Sequence, residues 1–421
     1  MRVVHINTFD SQGGAARAAY RLHEGLRDLG HDSRMFVECR RSVDPNVVAF
    51  APRTDLPGRI FRSLRREFLQ RTFGGSVEGQ PAGRDMFSDD RTEYGFDVVR
   101  QLPGAEVYHL HWVAGFMDYR AVLPAITRCA PVVWILHDMN PFTGGCHFDE
   151  GCARYRHRCG NCPQLGSGAE TDVSTKIWLR KQAAYRKIPA GRLHLVAPSR
   201  WLAAEAKQSV LFSDVPVSVI PNGLNLQAFA PRDRSFARDV LGLPPTKLIV
   251  LCVADVLGAR RKGMRLLVQA LEALKDRADV LLVTVSRVPD VLDVPVPHTS
   301  LGHIRDERLM SLAYNAADVF VCPTLQDNLP NTILESSACG VPVVAFNVGG
   351  VPDIIRDGMT GILVPAGDTA VLGEAVRRLL TDSERRAAMR TNCRQVAVEE
   401  YALKIQAKRY VELYERMLAS N

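Results

Sequence analysis

At 421 residues, with 46% hydrophobic and 24% charged side chains, the chain has globular composition and is long enough for two cores of roughly 200 residues each. Those proportions exclude a disordered or collagen-like chain, and no run approaches the roughly 18 apolar residues of a membrane span. The net charge of +7 is modest for this length and no nucleic-acid motif accompanies it, so nucleic acid is not an expected partner.

"MRVVHINTFDSQGG" opens on an apolar strand that turns polar too soon for the core of a secretory signal, so a cytoplasmic location is expected. "AARAAYRLHEGLRDLG" follows as an amphipathic helix closed by Gly30, and "DSRMFVE" is the next strand. Between 45 and 100 the pattern is poor, and loops are expected around "GRIFRSLRREFLQR", Gly58 to Arg71. There Ile60, Phe61, Leu64 and Phe68 recur at helical spacing among five arginines. Two readings stay open: a helix lying on an anionic membrane surface, or a surface helix whose apolar face meets the core. "AEVYHLHW", "PVVWILHD" and "RLHLVAPS" are apolar strands ending in polar residues.

The second half repeats the style with "KLIVLCVAD", "DVLLVTVS", "ADVFVCPT", "PVVAFNVG" and "GILVPAG", separated by helices. Continuous apolar strands alternating with helices predict parallel sheets covered on both faces. The expected fold is therefore α/β with two doubly wound, Rossmann-like domains, ligands binding in the crevice at their strand ends. The expected boundaries are 1–200, 201–399 and a C-terminal helix over 400–421.

Ten cysteines in a cytosolic chain are not read as disulfides. Cys146, Cys152, Cys159 and Cys162 cluster in the tract 143–167 with spacing x5, x6, x2, and the C-x2-C pair is a common half of a four-thiolate zinc site. Thiolate donors favour a closed structural zinc, with His147 and His157 as possible substitutes for a ligand. Disulfides or free thiols, and an iron–sulfur cluster, are the alternatives.

The chain has neither a GxxxxGK[ST] phosphate loop nor a GxGxxG fingerprint. Gly13 and Gly14 follow the first strand and open a helix, where backbone N–H groups meet anions. "DNLPNTILESSACGVPVVAFNVGG" places Asp327 and Glu335 eight residues apart, with Asn331 opening a helix and Gly349–Gly350 making a close-approach turn. "GARRKGM" sets Arg260, Arg261 and Lys262 near a strand end, suited to a diphosphate. Gathered at strand ends of one domain, these favour a nucleotide-diphosphate site.

"VIPNGLNLQAFAP", "RRKGMRLLVQAL" and "LAYNAADVFVCPTLQDNLPNTILESSACGVPVVAFNVGGVPDIIRDGMTGILVPAGD" closely resemble the retaining glycosyltransferases of family 4, which have the GT-B fold. The resemblance implies a nucleotide-sugar donor on the C-terminal domain, an acceptor on the N-terminal one, and a last helix that crosses back to the N-terminal domain. It places the family's acidic pair on Asp327 and Glu335, Glu335 on the donor ribose and Asp327, in place of a Glu, beside the donor sugar. Asn328, Leu329, Pro330 and Asn331 fall in the same donor segment. Arg261 and Lys262 match the pair that neutralises the diphosphate, Gly13 and Gly14 the loop approaching it, and His137 a histidine near sugar and acceptor. The implied chemistry is retaining transfer with no metal or other cofactor in catalysis.

"VYHLHWVAGF" and "LHDMNPFTGGCHF" resemble a branch of exopolysaccharide and lipid-linked oligosaccharide assembly whose tract is also Cys-rich. That implies a glycan or lipid-linked acceptor, a place at the inner face of a membrane, and His109, His111 and Trp112 on the acceptor side, strand-end packing being the other reading of each. The rival readings are a nucleotide-sugar epimerase, a phosphorolytic enzyme, and a nucleotide-sugar-binding protein without turnover.

Overall fold

The computed structural model describes residues 1–75, 84–256, 258–287 and 293–420, which form two compact units, Met1–Pro221 with Gln406–Asn421 and Asn222–Ile405. In the first unit seven strands make one sheet in the order β3-β2-β1-β4-β5-β6-β7, every pair parallel. They are β1 Arg2–Phe9, β2 Asp32–Cys39, β3 Val47–Ala49, β4 Val107–Leu110, β5 Val132–Ile135, β6 Leu193–Ala197 and β7 Val217–Val219. The second unit has six parallel strands in the order β10-β9-β8-β11-β12-β13. These are β8 Leu248–Val253, β9 Val280–Val285, β10 His298–Ser300, β11 Val319–Cys322, β12 Val343–Phe346 and β13 Gly361–Val364.

Both sheets are doubly wound, so the strand order reverses at β1/β4 in one and at β8/β11 in the other. Helices cover both faces because the strands are apolar on both sides: β4 and β5 are buried at every position, as are β9, β11 and β12. Trp134 of β5 is fully buried on one face, while Leu22 and Leu26 of the helix Gly14–Asp28 pack with Tyr410, Leu413 and Tyr414 of the helix Leu403–Ala419 on the other.

The observed units differ from the sequence boundaries at both ends. β7 pairs with β6 and carries the first unit to Pro221 rather than to residue 200. The chain rejoins that unit at Gln406, a few residues after 400, inside the last helix.

The basic segment is a helix, Leu56–Leu69, that runs into a π-turn at Gln70–Gly74. Its apolar face does not meet the core. Leu56, Ile60, Leu64 and Phe68, each four residues from the next, are 51–69% exposed, and Gly58 is its only buried residue. Among the described residues no helix is long and apolar enough to cross a membrane.

Candidate functional site

In each doubly wound sheet the loops after the strands at the reversal point form the natural ligand crevice. In the second unit those loops follow β8, β11 and β12, and they bring together Arg261, Lys262, Asp327 and Gly349. Lys262 Nζ donates to Asp327 Oδ2 at 2.7 Å, and Arg261 Nη1 donates to the same oxygen at 3.2 Å and to the Gln326 carbonyl at 2.9 Å. Burial works against ionisation of Asp327, but the two cations outweigh it and hold the carboxyl below its usual range. The expectation that Arg261 and Lys262 stand ready for a diphosphate is thereby refined. Phosphate oxygens must compete with Asp327 for both.

The backbone of Asp327 is pinned as tightly as its side chain. Gly350 N donates to its carbonyl at 3.1 Å, and a Cβ on Gly349, whose φ is +51°, would stand 2.1 Å from that oxygen. Asn328, Leu329 and Pro330 are buried behind it, and Pro330 caps the helix Asn331–Ala338 without a side-chain hydrogen bond. A helix start with no capping side chain presents backbone N–H groups and the positive end of the dipole to an anion.

Glu335 follows in the same helix. It is 3% exposed and accepts a hydrogen bond from Tyr314 OH at 3.0 Å, so its carboxylate sits inside the helix layer, where a ribose must come to it. Sequence reasoning missed Tyr314, and also Asn222, whose Nδ2 donates to Asn331 Oδ1 at 3.0 Å while its own Oδ1 is buried without a partner. "PNG" was the only signal for Asn222, and nothing local marks Tyr314.

In the first unit the loops after β1, β4 and β5 carry Gly13, Trp112 and His137. Gly13, at φ +87°, is the N-cap of the helix beginning at Gly14, again with no side-chain cap. His5 of β1 pairs in register with His109 of β4, and alternation puts His5, His109 and His111 on one face. That face is covered, and the consequence is a correction. His109 is fully buried, its Nδ1 2.6 Å from Tyr414 OH, and cannot line an acceptor surface. His111 is 3% exposed and reaches solvent chemistry only through His137; Trp112 remains half-buried.

What the histidines form is a hydrogen-bonded chain. His23 Nδ1 lies 2.8 Å from Ser33 Oγ, Ser33 Oγ 3.1 Å from His5 Nε2, His5 Nδ1 2.8 Å from His111 Nε2, and His111 Nδ1 3.2 Å from His137 Nε2. Burial lowers the pKa of every ring in it, to about 4 for His23 and His137, so all are neutral at pH 7. A neutral imidazole has one donor and one acceptor, so fixing one proton fixes the rest. The Asp44 carboxylate lies 3.4 Å from His23 Nε2, not aligned for a hydrogen bond, and its charge favours a proton on that nitrogen. Successive donation then puts the His137 proton on Nε2 and its lone pair on Nδ1. Among the described residues His5, His109 and His111 have ligand atoms within 4.8 Å of one another, but the nitrogens of His5 and His111 are committed to this chain.

Beside His137, Asp138 accepts from Trp112 Nε1 at 2.9 Å and lies 2.6 Å from His147 Nδ1, whose Nε2 lies 2.8 Å from Ser88 Oγ. Burial raises the Asp138 carboxyl, yet His147, the Asn140 amide and Trp112 bring it below its usual range. His147 follows Cys146 directly, so the cysteine tract touches the site through this pair.

The family described as Glycosyltransferase Family 4 matches residues 12–228, and that described as Glycosyl transferases group 1 matches residues 247–382. Alpha-maltose-1-phosphate synthase of Mycolicibacterium smegmatis is 31% identical over 368 residues, 82% of this chain and 86% of that protein. Lipopolysaccharide core biosynthesis mannosyltransferase LpsB of Rhizobium meliloti is 28% identical over 267 residues, 58% of this chain and 72% of that protein. Matches to several other curated relatives span 40–57% of their length. The solved structure of Anabaena Alr3699/HepE in complex with UDP-glucose is similar at a TM-score of 0.63 and 15% identity, covering 99% of this chain and 100% of that one. With two parallel doubly wound sheets of the GT-B kind, the chain belongs to glycosyltransferase family 4.

Proposed function

We propose that this glycosyltransferase is a retaining, metal-independent enzyme. It moves a sugar from a nucleotide-diphosphate sugar to a hydroxyl of a glycan or lipid-linked saccharide in bacterial polysaccharide biosynthesis. The observation that carries the donor half is the Arg261–Lys262–Asp327 cluster beside the uncapped start of the helix Asn331–Ala338. Arg261 and Lys262 stabilise the diphosphate as it leaves, Asp327 orients the sugar, and Glu335 receives the ribose. The donor class agrees with the UDP-glucose bound by the Anabaena protein, and the glycan setting with the lipopolysaccharide core biosynthesis in the name of the Rhizobium relative.

The acceptor oxygen bonds to the anomeric carbon on the face from which the diphosphate departs. The carbon–oxygen bond to phosphate breaks, and a phosphate oxygen takes the hydroxyl proton. The protein supplies fixed dipoles and charges where charge develops. A neutral His137 with its lone pair on Nδ1 accepts a hydrogen bond from a sugar hydroxyl, a task suited to an uncharged polar group. Trp112 and Asp138 flank it on the acceptor side. The exposed stripe Leu56–Ile60–Leu64–Phe68, among Arg59, Arg62, Arg65 and Arg66, suits peripheral contact with an anionic membrane at the inner face, where a lipid-linked acceptor resides.

The test is a thermal-shift screen of nucleotide-diphosphate sugars, then NMR of the product formed with lipid-linked acceptors. One donor should raise the melting temperature, and the product should keep the donor's anomeric configuration. Inversion of that configuration overturns the retaining assignment. Binding without transfer, in wild type and His137→Ala alike, points to a non-catalytic binding protein.

A further inference from the structure

The tract 143–167 has almost no regular structure, only the 3-10 turns Arg154–Arg156 and Pro163–Leu165. It nevertheless holds a specific shape at conformational cost. Glu150, Ala153 and Asn161 are the non-glycine residues with positive φ among the described residues, and all three lie here. Such residues persist only where the surroundings over-determine them. Gly160, at φ +156°, passes so close to the next segment that a Cβ would stand 2.2 Å from the Glu170 carbonyl. Hydrogen bonds hold it, among them Ala153 N to Asp149 Oδ2 at 2.9 Å and Cys162 N to Asp172 Oδ2 at 2.9 Å, and its four cysteines are free thiols.

Cys146, Cys152, Cys159 and Cys162 line one small cavity of about 20 Å³, walled by Phe87 and Tyr155, room for a single small occupant. One backbone amide points at a sulfur: Gly144 N donates to Cys159 Sγ at 3.1 Å. That bond leaves the other lone pairs of the Cys159 sulfur for a metal. Four soft donors around one small cavity, two of them buried and two partly exposed, suit tetrahedral structural zinc.

We infer that Cys146, Cys152, Cys159 and Cys162 bind one structural zinc ion, and that this ion fixes the His147–Asp138–Trp112 network beside His137. Among the described residues no three of the sulfurs fall within the 4.8 Å that groups the buried histidines, so the ion draws them inward on binding. The tract is already anchored at its start. Lys181, fully buried, donates to the Asn140 and Thr143 carbonyls, and Asn140 Nδ2 donates to the Gly145 carbonyl at 2.8 Å. The ion closes the other end, and Cys146 transmits the closure to His147 through one peptide bond.

The experiment uses the full chain, purified without chelator, and metal analysis by mass spectrometry. About one zinc per chain is expected, with thiol reagents titrating these four cysteines only as zinc is released. Replacing zinc with Co(II) should give the strong visible absorption of tetrahedral cobalt bound by four thiolates. Cys152→Ser, at the more exposed corner of the cavity, should keep the fold while weakening the cobalt charge-transfer band. Stripping zinc should shift the indole N–H resonance of Trp112, a readout independent of glycosyl transfer. Metal-free protein with four freely reactive thiols in the folded state, or iron in place of zinc, overturns the site. An unmoved Trp112 resonance on zinc removal overturns its link to Asp138.

Discussion

At the ends of β4 and β5 the first unit gathers imidazoles that burial keeps neutral, whereas at the ends of β8 and β11 the second unit gathers a carboxylate between two cations. Both lie at the reversal point of a parallel sheet, so the fold provides the same kind of crevice twice. Residue chemistry alone separates them. A neutral network exchanges directional hydrogen bonds with hydroxyls and pays little for excluding water. A charged cluster stabilises a group whose charge grows during reaction. The proposed division between acceptor and donor follows from that contrast.

The contrast breaks most visibly if the cations are removed. Lys262→Ala should lower kcat/KM for sugar transfer by roughly 10²–10³-fold, the usual loss for one group stabilising a developing negative charge. Arg261 still pairs with Asp327, so the fold should survive, which circular dichroism would check. A loss under about threefold would place diphosphate stabilisation elsewhere.

Acid should separate the units next. His5, His23, His109, His111, His137 and His194 of the first unit all have pKa values lowered by burial, against His298 alone among resolved shifts in the second. A lowered histidine pKa means the unfolded chain binds the proton first. Its stabilisation is therefore complete above pH 6.5 and is lost as pH falls below that, down to about 4 for His23, His137 and His194, at roughly 1.4 kcal/mol per pH unit for each ring. Asp138 and Asp44 face this network as the nearby carboxylates, with Arg27 paired to Asp44 and Tyr410 and Tyr414 stacked on His109. Asp327, lowered in the carboxylate range, begins to lose its contribution only below about pH 4. Hydrogen exchange at pH 5 should thus show the first unit opening before the second. Simultaneous opening would contradict the neutral-network description.

Much of this was legible beforehand, and the failures share a cause. Apolar runs located the long central strands, and glycines and charges at their ends located Arg261, Lys262, Asp327 and Gly349. The edge strands β3, β7 and β10 are three residues each, too short for any periodicity, and overlooking β7 moved the first boundary. The resemblance set His109 and His111 on the acceptor side, with strand-end packing as the other reading. The period of two, shared with His5, instead places them on one covered face. Nothing in its own segment showed that Glu335 is buried against Tyr314, which a different helix contributes.

The histidine chain sharpens the comparison by a smaller step. His5→Phe removes the acceptor of His111 and the donor to Ser33, leaving buried polar groups unsatisfied at about 1–3 kcal/mol. His137 then loses its proton order, and transfer should fall about tenfold, equivalent to about 1.4 kcal/mol of transition-state binding. Nitrogen-15 NMR of the imidazoles checks the cause directly. In the wild type His137 should carry its proton on Nε2; a proton on Nδ1 would reverse the chain's direction and sever its link to Asp44.

The smallest expected change lies at Asp327, where the resemblance places a glutamate. The carbonyl of Asp327 is held by Gly350 N and crowded by Gly349, so the backbone cannot retreat to absorb a longer side chain. Asp327→Glu therefore carries the carboxylate about 1.5 Å past its present position against Lys262 and Arg261. The ion pairs loosen, both cations become more available to phosphate, and donor KM should fall about threefold, or ~0.7 kcal/mol, with kcat nearly constant. A rise of the same size would mean that the short aspartate reach is what the donor needs. In that case Asp327 positions the cations, and the sugar is held by the buried run Asn328–Pro330 behind it.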